Sequence, residues 1–396
     1  MAVELSQADR REARELLGAL VAIPSVNRGI EQGRVDQPEK QMAAFLAEYL
    51  GRIGMDVTVL QVEPGRGNVI AHWPDQRGRR SLLFDAHMDT VGVEGMTVEA
   101  FAARQDGGRV YGRGACDAKG PMAAFLTALR VARERGIEPA DKIYFAATMG
   151  EEVGCIGARR LVESGFRCDG AVVGEPTACN IVAAHKGSVW LRLAARGRSC
   201  HAATPELGRN PIVPIARAVE IIESRFRPLL QARRHPLLGR ATVSVNLVAG
   251  GTKVNVVPDR CGSEIDIRTL PEQRPQELIE LLRRQLVEEL PDWADDLELD
   301  CLWELPGMET PADAALVRNS LAVAGRYTGQ GQPAGMPYFA DSGPLRASGA
   351  EVVIFGPGQP AQAHTADEFI ELDQLYLGAQ IVLELLGAHQ DRSVLD

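Results

Sequence analysis

The 396-residue sequence has little of what marks several common classes of protein. Its seven cysteines are scattered and include no CxxC pair, which argues against a disulfide scaffold and against a thiolate zinc site. Its formal charge of −10 has the wrong sign for phosphate binding, and no apolar run approaches the ~18 residues that span a membrane. We therefore expect neither a nucleic-acid partner nor a membrane span.

Other signals are missing as well. The opening residues 1–6 carry neither a basic region nor an apolar one of the kind found in secretion signals, so with the scattered cysteines they favour a reducing cytoplasm. Gly112-x-Gly114 does not extend to GxGxxG, which leaves a dinucleotide site unsupported. Aromatic residues make up only 5% of the chain, and its four tryptophans form no pattern typical of a ligand platform.

What is present predicts two domains. In the first part of the chain, helical periodicity alternates with short apolar strands, which indicates a mostly parallel sheet in an α/β domain. From residue 187 the pattern becomes β-α-β-β-α-β, typical of a ferredoxin-like α+β unit, and from about 303 the helix–strand alternation resumes. We therefore expect a domain formed by residues 1–186 and 303–396, interrupted by a smaller one at 187–302.

Residues that can ligate a metal follow the predicted strands. They are His87 after strand 81–85, Glu151 and Glu152 after 143–148, Glu175 after 171–173 and His364 after 351–355, with Asp117 ahead of a helix. Because the carboxyl ends of parallel strands form the crevice of an open sheet, we expect these side chains to converge. Two imidazoles and four carboxylates can share one crevice only around positive charge, since clustered anions otherwise repel each other or bind protons.

The tandem pair Glu151-Glu152 matches the needs of metal-dependent hydrolysis. Adjacent residues at a strand end point in different directions, so one carboxylate can ligate a metal while the other faces a bound water. His87 and Asp89 share a face of an extended segment, so Asp89 can fix the tautomer of the imidazole. Mixed nitrogen and oxygen ligation favours zinc, with cobalt and manganese also fitting. The pattern therefore indicates a paired-metal hydrolase.

The order and position of these motifs resemble the metallopeptidase M20 family, and within it the acetylornithine deacetylase and succinyl-diaminopimelate desuccinylase group. The resemblance is carried by His87-x-Asp89, Gly112-Arg-Gly-x-x-Asp117-x-Lys119-Gly120, Glu151-Glu152, Gly174-Glu-Pro-Thr177 and the late His364. It covers nearly the whole chain. It implies a zinc-exopeptidase-like catalytic domain and an inserted domain that serves as a lid and as the dimerisation surface of a homodimer.

The resemblance also implies a role for each motif residue. Asp117 would bridge two divalent metal ions, and a cis peptide bond would follow it. His87 and Glu175 would complete one metal site, and Glu152 and His364 would complete the other. Glu151 would be the general base, and Asp89 would belong to the catalytic set by orienting His87.

Three positions of the inserted domain match family residues that meet the substrate. His201 would reach into the partner subunit's site and stabilise the oxyanion. Asn255 and Arg268 would hold the carboxylate of the substrate, for which a guanidinium offers a bidentate fork. His185, near the predicted domain junction, is interpreted as a structural or hinge residue.

The expected reaction is hydrolysis of the amide bond of an N-acyl amino acid, with an acetylornithine-deacetylase-like enzyme as the leading interpretation. Ala340 stands where desuccinylases carry a hydroxyl residue, which argues against succinyl-diaminopimelate, and Tyr338-Phe339 departs from the small residues usual there. A desuccinylase, or a carboxypeptidase or dipeptidase acting on short peptides by the same mechanism, remains an alternative. A metal-binding module without catalysis is a further alternative, against which the intact Glu151 argues.

Overall fold

The structure is a computed structural model that describes residues 4–27, 39–74 and 80–387. Its α-helices are α1 (Gln7–Ala22), α2 (Lys40–Arg52), α3 (Lys119–Glu134), α4 (Ile156–Glu163), α5 (Ile212–Ile221), α6 (Arg227–Leu230), α7 (Pro275–Glu289), α8 (Ala315–Thr328), α9 (Ser342–Ala347) and α10 (Leu372–Gly387). Within this described part, no helix has both the length and the apolar character needed to cross a membrane.

The strands are numbered in chain order. The first nine are β1 (Asp56–Glu63), β2 (Arg66–His72), β3 (Ser81–His87), β4 (Arg104–Asp106), β5 (Arg109–Tyr111), β6 (Lys142–Thr148), β7 (Gly170–Val173), β8 (Val182–His185) and β9 (Gly187–Arg196). The others are β10 (Cys200–His201), β11 (Thr242–Gly250), β12 (Val256–Val257), β13 (Arg260–Thr269), β14 (Leu297–Leu305), β15 (Met308–Glu309), β16 (Ala334–Met336), β17 (Glu351–Ile354) and β18 (Phe369–Glu371).

The chain divides into two compact units. The large unit comprises Met1–Ala183, Glu309–Ala334 and Ala340–Asp396, and the small unit comprises Ala184–Met308 and Gly335–Phe339. The first segment of the small unit begins three residues before the expected border at 187 and ends six residues after the expected border at 302, and the segment 335–339 also belongs to this unit. A backbone hydrogen bond from Lys186 to the carbonyl of Met336, at 3.3 Å, attaches that segment.

The main sheet confirms the expected α/β fold class. Its strand order is β1-β2-β6-β3-β7-β17-β8-β15, and β16 pairs with β8. The central pairs β6–β3, β3–β7 and β7–β17 are parallel, whereas β1 and β2 add antiparallel pairs at one side. Strand β3 is buried along almost its whole length and packs against α3, itself buried from Lys119 to Ala132. Such continuous burial is typical of central parallel strands.

The small unit has the predicted β-α-β-β-α-β order. Its four strands form an antiparallel sheet in the order β11-β13-β9-β14, and α5 and α7 pack on one face of it. On β9, Val189, Leu191 and Leu193 alternate into the core beneath these helices. Trp190 and Arg192 point to the opposite face, which we call the open face. This period of two is expected of a sheet with one covered side.

Several short elements were not predicted. Strands β4, β5 and β18 form a small separate sheet, and β10 pairs with β12. Strands of two or three residues are too short for an alternating pattern to appear in the sequence. The first helix of the β-α-β-β-α-β order is α5, and a π-helical segment, Ile222–Phe226, joins α5 to α6.

A buried histidine makes the stability of the fold depend on pH. Burial lowers the pKa of His185 from its usual 6.5 to about 4, while its Nδ1 lies 2.8 Å from the carbonyl oxygen of Lys186. As the pH falls, His185 is therefore protonated in the unfolded chain before it is protonated in the folded one. The stabilisation that comes from neutral, buried His185 is complete above about pH 6.5 and is lost as the pH falls from 6.5 to 4. We expect His185→Asn, which keeps a donor for Lys186, to lose about 2–3 kcal/mol less than the wild type on acidification to about pH 4.5.

Denaturant unfolding above about pH 6.5 and again at about pH 4.5 measures how much stability each variant loses. His72→Asn is the control, because His72 is an exposed imidazole whose side chain is 45% accessible. Equal acid sensitivity of the His185 variant and the wild type would contradict the assignment.

Candidate active site

The ligand-capable residues lie at one edge of the main sheet because the central parallel strands end together. In the register of β3 with β6, His87 is paired with Thr148. In the register of β3 with β7, Asp85 is paired with Val173, and β17 continues the parallel set beside β7. The segments that leave these strand ends therefore start from adjacent points, as an open parallel sheet predicts.

Two groups of potential ligands share one carboxylate. His87, Asp117 and Glu175 form one group and Asp117, Glu152 and His364 form the other, with the ligand atoms of each group within 4.8 Å of one another. Asp117 Oδ1 lies 3.1 Å from His87 Nε2, and Asp117 Oδ2 lies 3.3 Å from His364 Nε2. The two oxygens of one carboxylate thus face different imidazoles, which is the arrangement that a bridging ligand requires.

Two further contacts connect the carboxylates with the imidazoles. Glu152 Oε1 lies 3.1 Å from His364 Nε2, and Glu175 Oε1 lies 3.8 Å from His87 Nε2. Glu151 falls in a separate group with His87 and Glu152 and is only 6% exposed. The structure therefore brings together all the ligand-capable residues that the sequence predicted for this crevice.

Asp89 organises the site in two ways. His87 Nδ1 lies 2.9 Å from the main-chain oxygen of Asp89 and 3.5 Å from its carboxylate, so the closer partner of the imidazole is the carbonyl. The carboxylate instead accepts the backbone N–H groups of Glu151, at 3.1 Å, and Glu152, at 3.2 Å. The Asn27 amide donates to the same carboxylate at 3.1 Å. The sequence indicated the contact with His87 but not the support of the tandem glutamates, because backbone directions are not visible in it.

The cluster of ligand-capable residues carries more negative than positive charge, which favours the binding of cations. Burial raises the pKa of Glu151, Glu152 and Glu175. Hydrogen bonds to Asp117 and Glu152 raise the pKa of His364 to about 10. Raised pKa values mean that these carboxylates and the His364 imidazole hold protons when no cation is present to balance the negative charge. Divalent cations would replace these protons and relieve the repulsion, and imidazole with carboxylate oxygens is a donor set that suits zinc. The residues present therefore fit a two-metal centre.

A buried glutamate holds the loop that carries Asp117. Glu368 is fully buried, and its carboxylate accepts the backbone N–H groups of Gly114, Cys116 and Asp117 at 3.1, 2.9 and 3.0 Å. It also accepts from the Arg113 guanidinium at 2.6 Å. The predicted cis peptide bond after Asp117 is confirmed. Sequence reasoning missed the role of Glu368, for which the only signal was its place in the segment that also contains His364.

Lys119 lies beneath the same loop. It is fully buried, and its ammonium group donates to the carbonyl of Ile23 at 2.8 Å. Burial lowers the pKa of Lys119 to about 7. Its aliphatic chain packs so closely under Gly114 that a Cβ added at that glycine would lie 2.9 Å from Lys119 Cδ. Gly114 has φ +82°, which glycine adopts without strain.

The three residues expected to meet the substrate all lie in the small unit. His201 is exposed on β10, and its Nδ1 accepts the N–H of Ala203 at 3.0 Å. The carbonyl of Asn255 accepts the N–H of Ala202, so Asn255 is held beside the β10 segment. Arg268 lies on β13 and makes a two-pronged contact with Asp266, with both N–O distances 2.9 Å.

Comparison with known families and proteins gives a consistent result. The sequence profile described as peptidase family M20/M25/M40 matches residues 83–388. The chain is 30% identical to an acetylornithine deacetylase of Myxococcus xanthus, over 89% of this chain and 90% of that protein. It is 26% identical to a probable succinyl-diaminopimelate desuccinylase of Staphylococcus aureus (strain MSSA476), over 93% of this chain and 94% of that protein.

Solved structures with the same fold include a tripeptidase from Staphylococcus aureus. Its TM-score is 0.79 at 22% identity, and the match covers 96% of this chain and 98% of the tripeptidase. A Bacillus subtilis peptidase described as dinuclear metal binding has a TM-score of 0.71 at 18% identity, with 96% of this chain and 99% of that protein covered. At these identities the likeness concerns the fold.

The buried Glu368 gives a testable expectation. Replacing it with glutamine removes the charge that faces Arg113 and leaves one of the loop N–H groups without an acceptor. We expect Glu368→Gln to weaken the affinity of the cluster for a divalent cation by about 10–100-fold, because supports of this kind orient the ligands. Titration of the metal-free protein with zinc measures this affinity.

The matched control is Glu371→Gln. Glu371 is also paired with an arginine, Arg109, but its side chain is 46% exposed. It should keep the wild-type affinity. A Glu368 variant that binds zinc as tightly as the control would show that the loop holds Asp117 without this carboxylate.

Proposed function

We propose, since the chain belongs to peptidase family M20/M25/M40, that it is a two-metal amidohydrolase that removes the acyl group from an N-acyl amino acid. Family membership makes the protein a metal-dependent hydrolase of amide bonds. The observation that carries the proposal is the Asp117 carboxylate, with one oxygen toward His87 and the other toward His364.

Two divalent cations, for which zinc is our first choice and cobalt or manganese would also fit, would polarise the acyl carbonyl and make a water molecule more acidic. His87, Glu175 and Asp117 would hold one cation. Glu152, His364 and Asp117 would hold the other.

Glu151 is proposed as the general base. It lies in a group with His87 and Glu152 but in neither of the two groups that contain Asp117. Its backbone N–H donates to the Asp89 carboxylate, which fixes the direction in which the chain leaves β6. Its carboxylate would take the proton of the attacking water and deliver it to the leaving amine nitrogen. Burial raises the pKa of Glu151, and the nearby cations would lower it again, so that the carboxylate can accept a proton from water.

His201 is proposed to stabilise the oxyanion in the site of a partner subunit. Its imidazole is exposed in the single chain, and the bond from Ala203 to Nδ1 leaves Nε2 as the donor for a developing negative charge. This role requires a homodimer, which we propose to form through the small unit.

The proposed carboxylate site consists of Arg268 and Asn255. Asp266 holds the Nε and Nη2 groups of Arg268, which orients the guanidinium and leaves Nη1 for a substrate. Lys186 is a second basic group near Arg268, since burial lowers the pKa of Lys186 and the charge of Arg268 adds to this larger effect. A free carboxylate on the substrate would therefore be attracted to this part of the small unit.

The acyl group and the leaving amine define the alternatives. Sequence similarity favours a deacetylase of the acetylornithine-deacetylase type. A carboxypeptidase or dipeptidase is the alternative, since solved structures with the same fold include both. Rates on N-acetyl amino acids, N-succinyl-diaminopimelate and dipeptides separate these activities, and failure of the zinc-loaded protein on all three classes would favour a metal-binding module without catalysis.

We also propose a cytoplasmic location. All seven cysteines are free thiols, and four of them are buried, so none depends on an oxidising compartment. Recovery of the protein in a membrane or extracellular fraction after cell fractionation would contradict this.

The role of Glu151 as the base is testable by substitution. Glu151→Gln should lower kcat by about 10²–10⁴-fold because the amide cannot take a proton from water. Its metal content should equal that of the wild type. Elemental analysis and steady-state kinetics on the same samples measure both properties.

Two further variants serve as controls for Glu151→Gln. Glu163→Gln, an exposed glutamate on α4, should keep full activity. Glu152→Ala should instead lose metal as well as activity. A Glu151 variant that keeps wild-type turnover, or one that loses metal, would refute its assignment as the base.

The role of His201 across the subunit border is testable by complementation. His201→Ala should lower kcat by about 10²–10³-fold, as removal of an oxyanion donor does. Mixing equal amounts of His201→Ala and Glu151→Gln subunits after reversible dissociation should restore about a quarter of wild-type activity, because about half of the dimers contain one complete site. No recovery in a mixture that contains mixed dimers would show that His201 acts within its own chain or not at all.

A further inference from the structure

An aromatic cluster lies on the open face of the small unit. Trp190 on β9 and Trp303 on β14 are paired in the sheet register, and their rings stack at 4.7 Å with 16° between the planes. Phe339 meets the ring of Trp303 edge-on at 5.2 Å. The tryptophans show no pattern in the sequence because only the pairing of β9 with β14 brings them together. We call Trp190, Trp303 and Phe339 the aromatic wall.

The wall adjoins the proposed carboxylate site. Trp190 is paired in register with Asp266, the partner of Arg268, and the Arg268 guanidinium carbon lies 6.0 Å from the centre of the Phe339 ring. All these residues belong to the small unit. A ligand whose carboxylate is held by Arg268 would therefore have aromatic surface beside it.

A small cavity opens next to Trp190. Its volume is about 190 Å³, and Trp190, Leu247 and Leu302 contribute apolar lining. Trp190 is 39% exposed, Leu302 41% and Leu247 59%, which is unusual for large apolar side chains on one sheet face. This volume is smaller than the roughly 300 Å³ or more of a drug-sized pocket, and it suits a single side chain.

The charged groups of this cavity are already paired. Asp266 is bound by Arg268, and Glu264 lies 3.0 Å from Arg192. A cationic side chain would find no unpaired carboxylate among these lining residues. An aromatic or large apolar side chain would instead gain ring contacts and buried apolar area.

We propose that the aromatic wall is a specificity site that receives an aromatic or large apolar side chain of the amino acid whose carboxylate Arg268 holds. The inference rests on the proposed deacylase function, and it names N-acyl derivatives of such amino acids, rather than of ornithine, as the substrate class. It follows from geometry, because the side chain of an amino acid leaves the same carbon that carries the carboxylate.

The test uses the zinc-loaded protein and the variants Trp190→Ala and Trp190→Phe. The first readout is the ratio of kcat/KM for N-acetyl-L-phenylalanine to that for N-acetyl-L-alanine. Trp190→Ala should lower this ratio by about 10-fold, the size expected for one lost ring contact and its buried area. Trp190→Phe should keep the ratio within about threefold of the wild type, since a ring remains.

The matched control is Trp293→Ala, which removes an indole of the small unit that stacks on Arg209 away from the wall. It should leave the ratio unchanged. A Trp190→Ala variant that slows both substrates by one factor, or a wild type that prefers N-acetyl-L-ornithine to N-acetyl-L-phenylalanine, would overturn the inference.

Calorimetric binding of L-phenylalanine, L-alanine and L-ornithine separates this inference from the proposed function, because it needs no turnover. Binding of phenylalanine that Trp190→Ala weakens, without hydrolysis of any N-acyl amino acid, would support the wall and refute the deacylase. Hydrolysis with a ratio insensitive to Trp190 would support the deacylase and refute the wall. Absence of both binding and hydrolysis would refute both.

Discussion

The shared carboxylate of Asp117 is the interaction on which the rest of the site depends. Its two oxygens face His87 and His364, whose segments are far apart in the chain. A carboxylate that serves two imidazoles must be held more firmly than one that serves a single partner, because a small rotation of Asp117 would bring it closer to one imidazole and farther from the other. The loop around Asp117 is accordingly fixed by Glu368, through three backbone N–H groups and the guanidinium of Arg113.

A second constraint is the cost of burying charge. Burying an ionised carboxylate is unfavourable unless hydrogen bonds or opposite charges compensate it. Asp89 and Glu368 meet this requirement with backbone N–H groups, whereas Glu151, Glu152 and Glu175 have mainly each other and the two imidazoles as neighbours. The carboxylates therefore divide into supports that are satisfied by the protein and groups that are left in need of cations. The satisfied carboxylates are the ones proposed to position other residues, and the unsatisfied ones are those proposed to bind metal or to act as the base.

Sequence reasoning succeeded where a feature depends on local pattern. The long helices and strands, the order β-α-β-β-α-β and the convergence of His87, Glu151 and Glu175 at strand ends all follow from hydrophobic period and parallel topology. It failed where a feature depends on register or backbone direction. The carboxylate of Glu368 meets amide groups about 250 residues earlier in the chain, and Trp190 meets Trp303 through a strand pairing that contains a bulge. Neither contact leaves a short-range signal.

The position of β17 has a consequence for synthesis of the chain. This strand lies between β7 and β8 in the main sheet, although more than 160 residues separate it from either. His364 and Glu368 follow it. The ribosome must therefore release the chain beyond β17 and Glu368 before the sheet can close and the Asp117 loop can find its acceptor. Until then the half-formed sheet exposes unpaired edges, which makes the growing chain a natural client for chaperones.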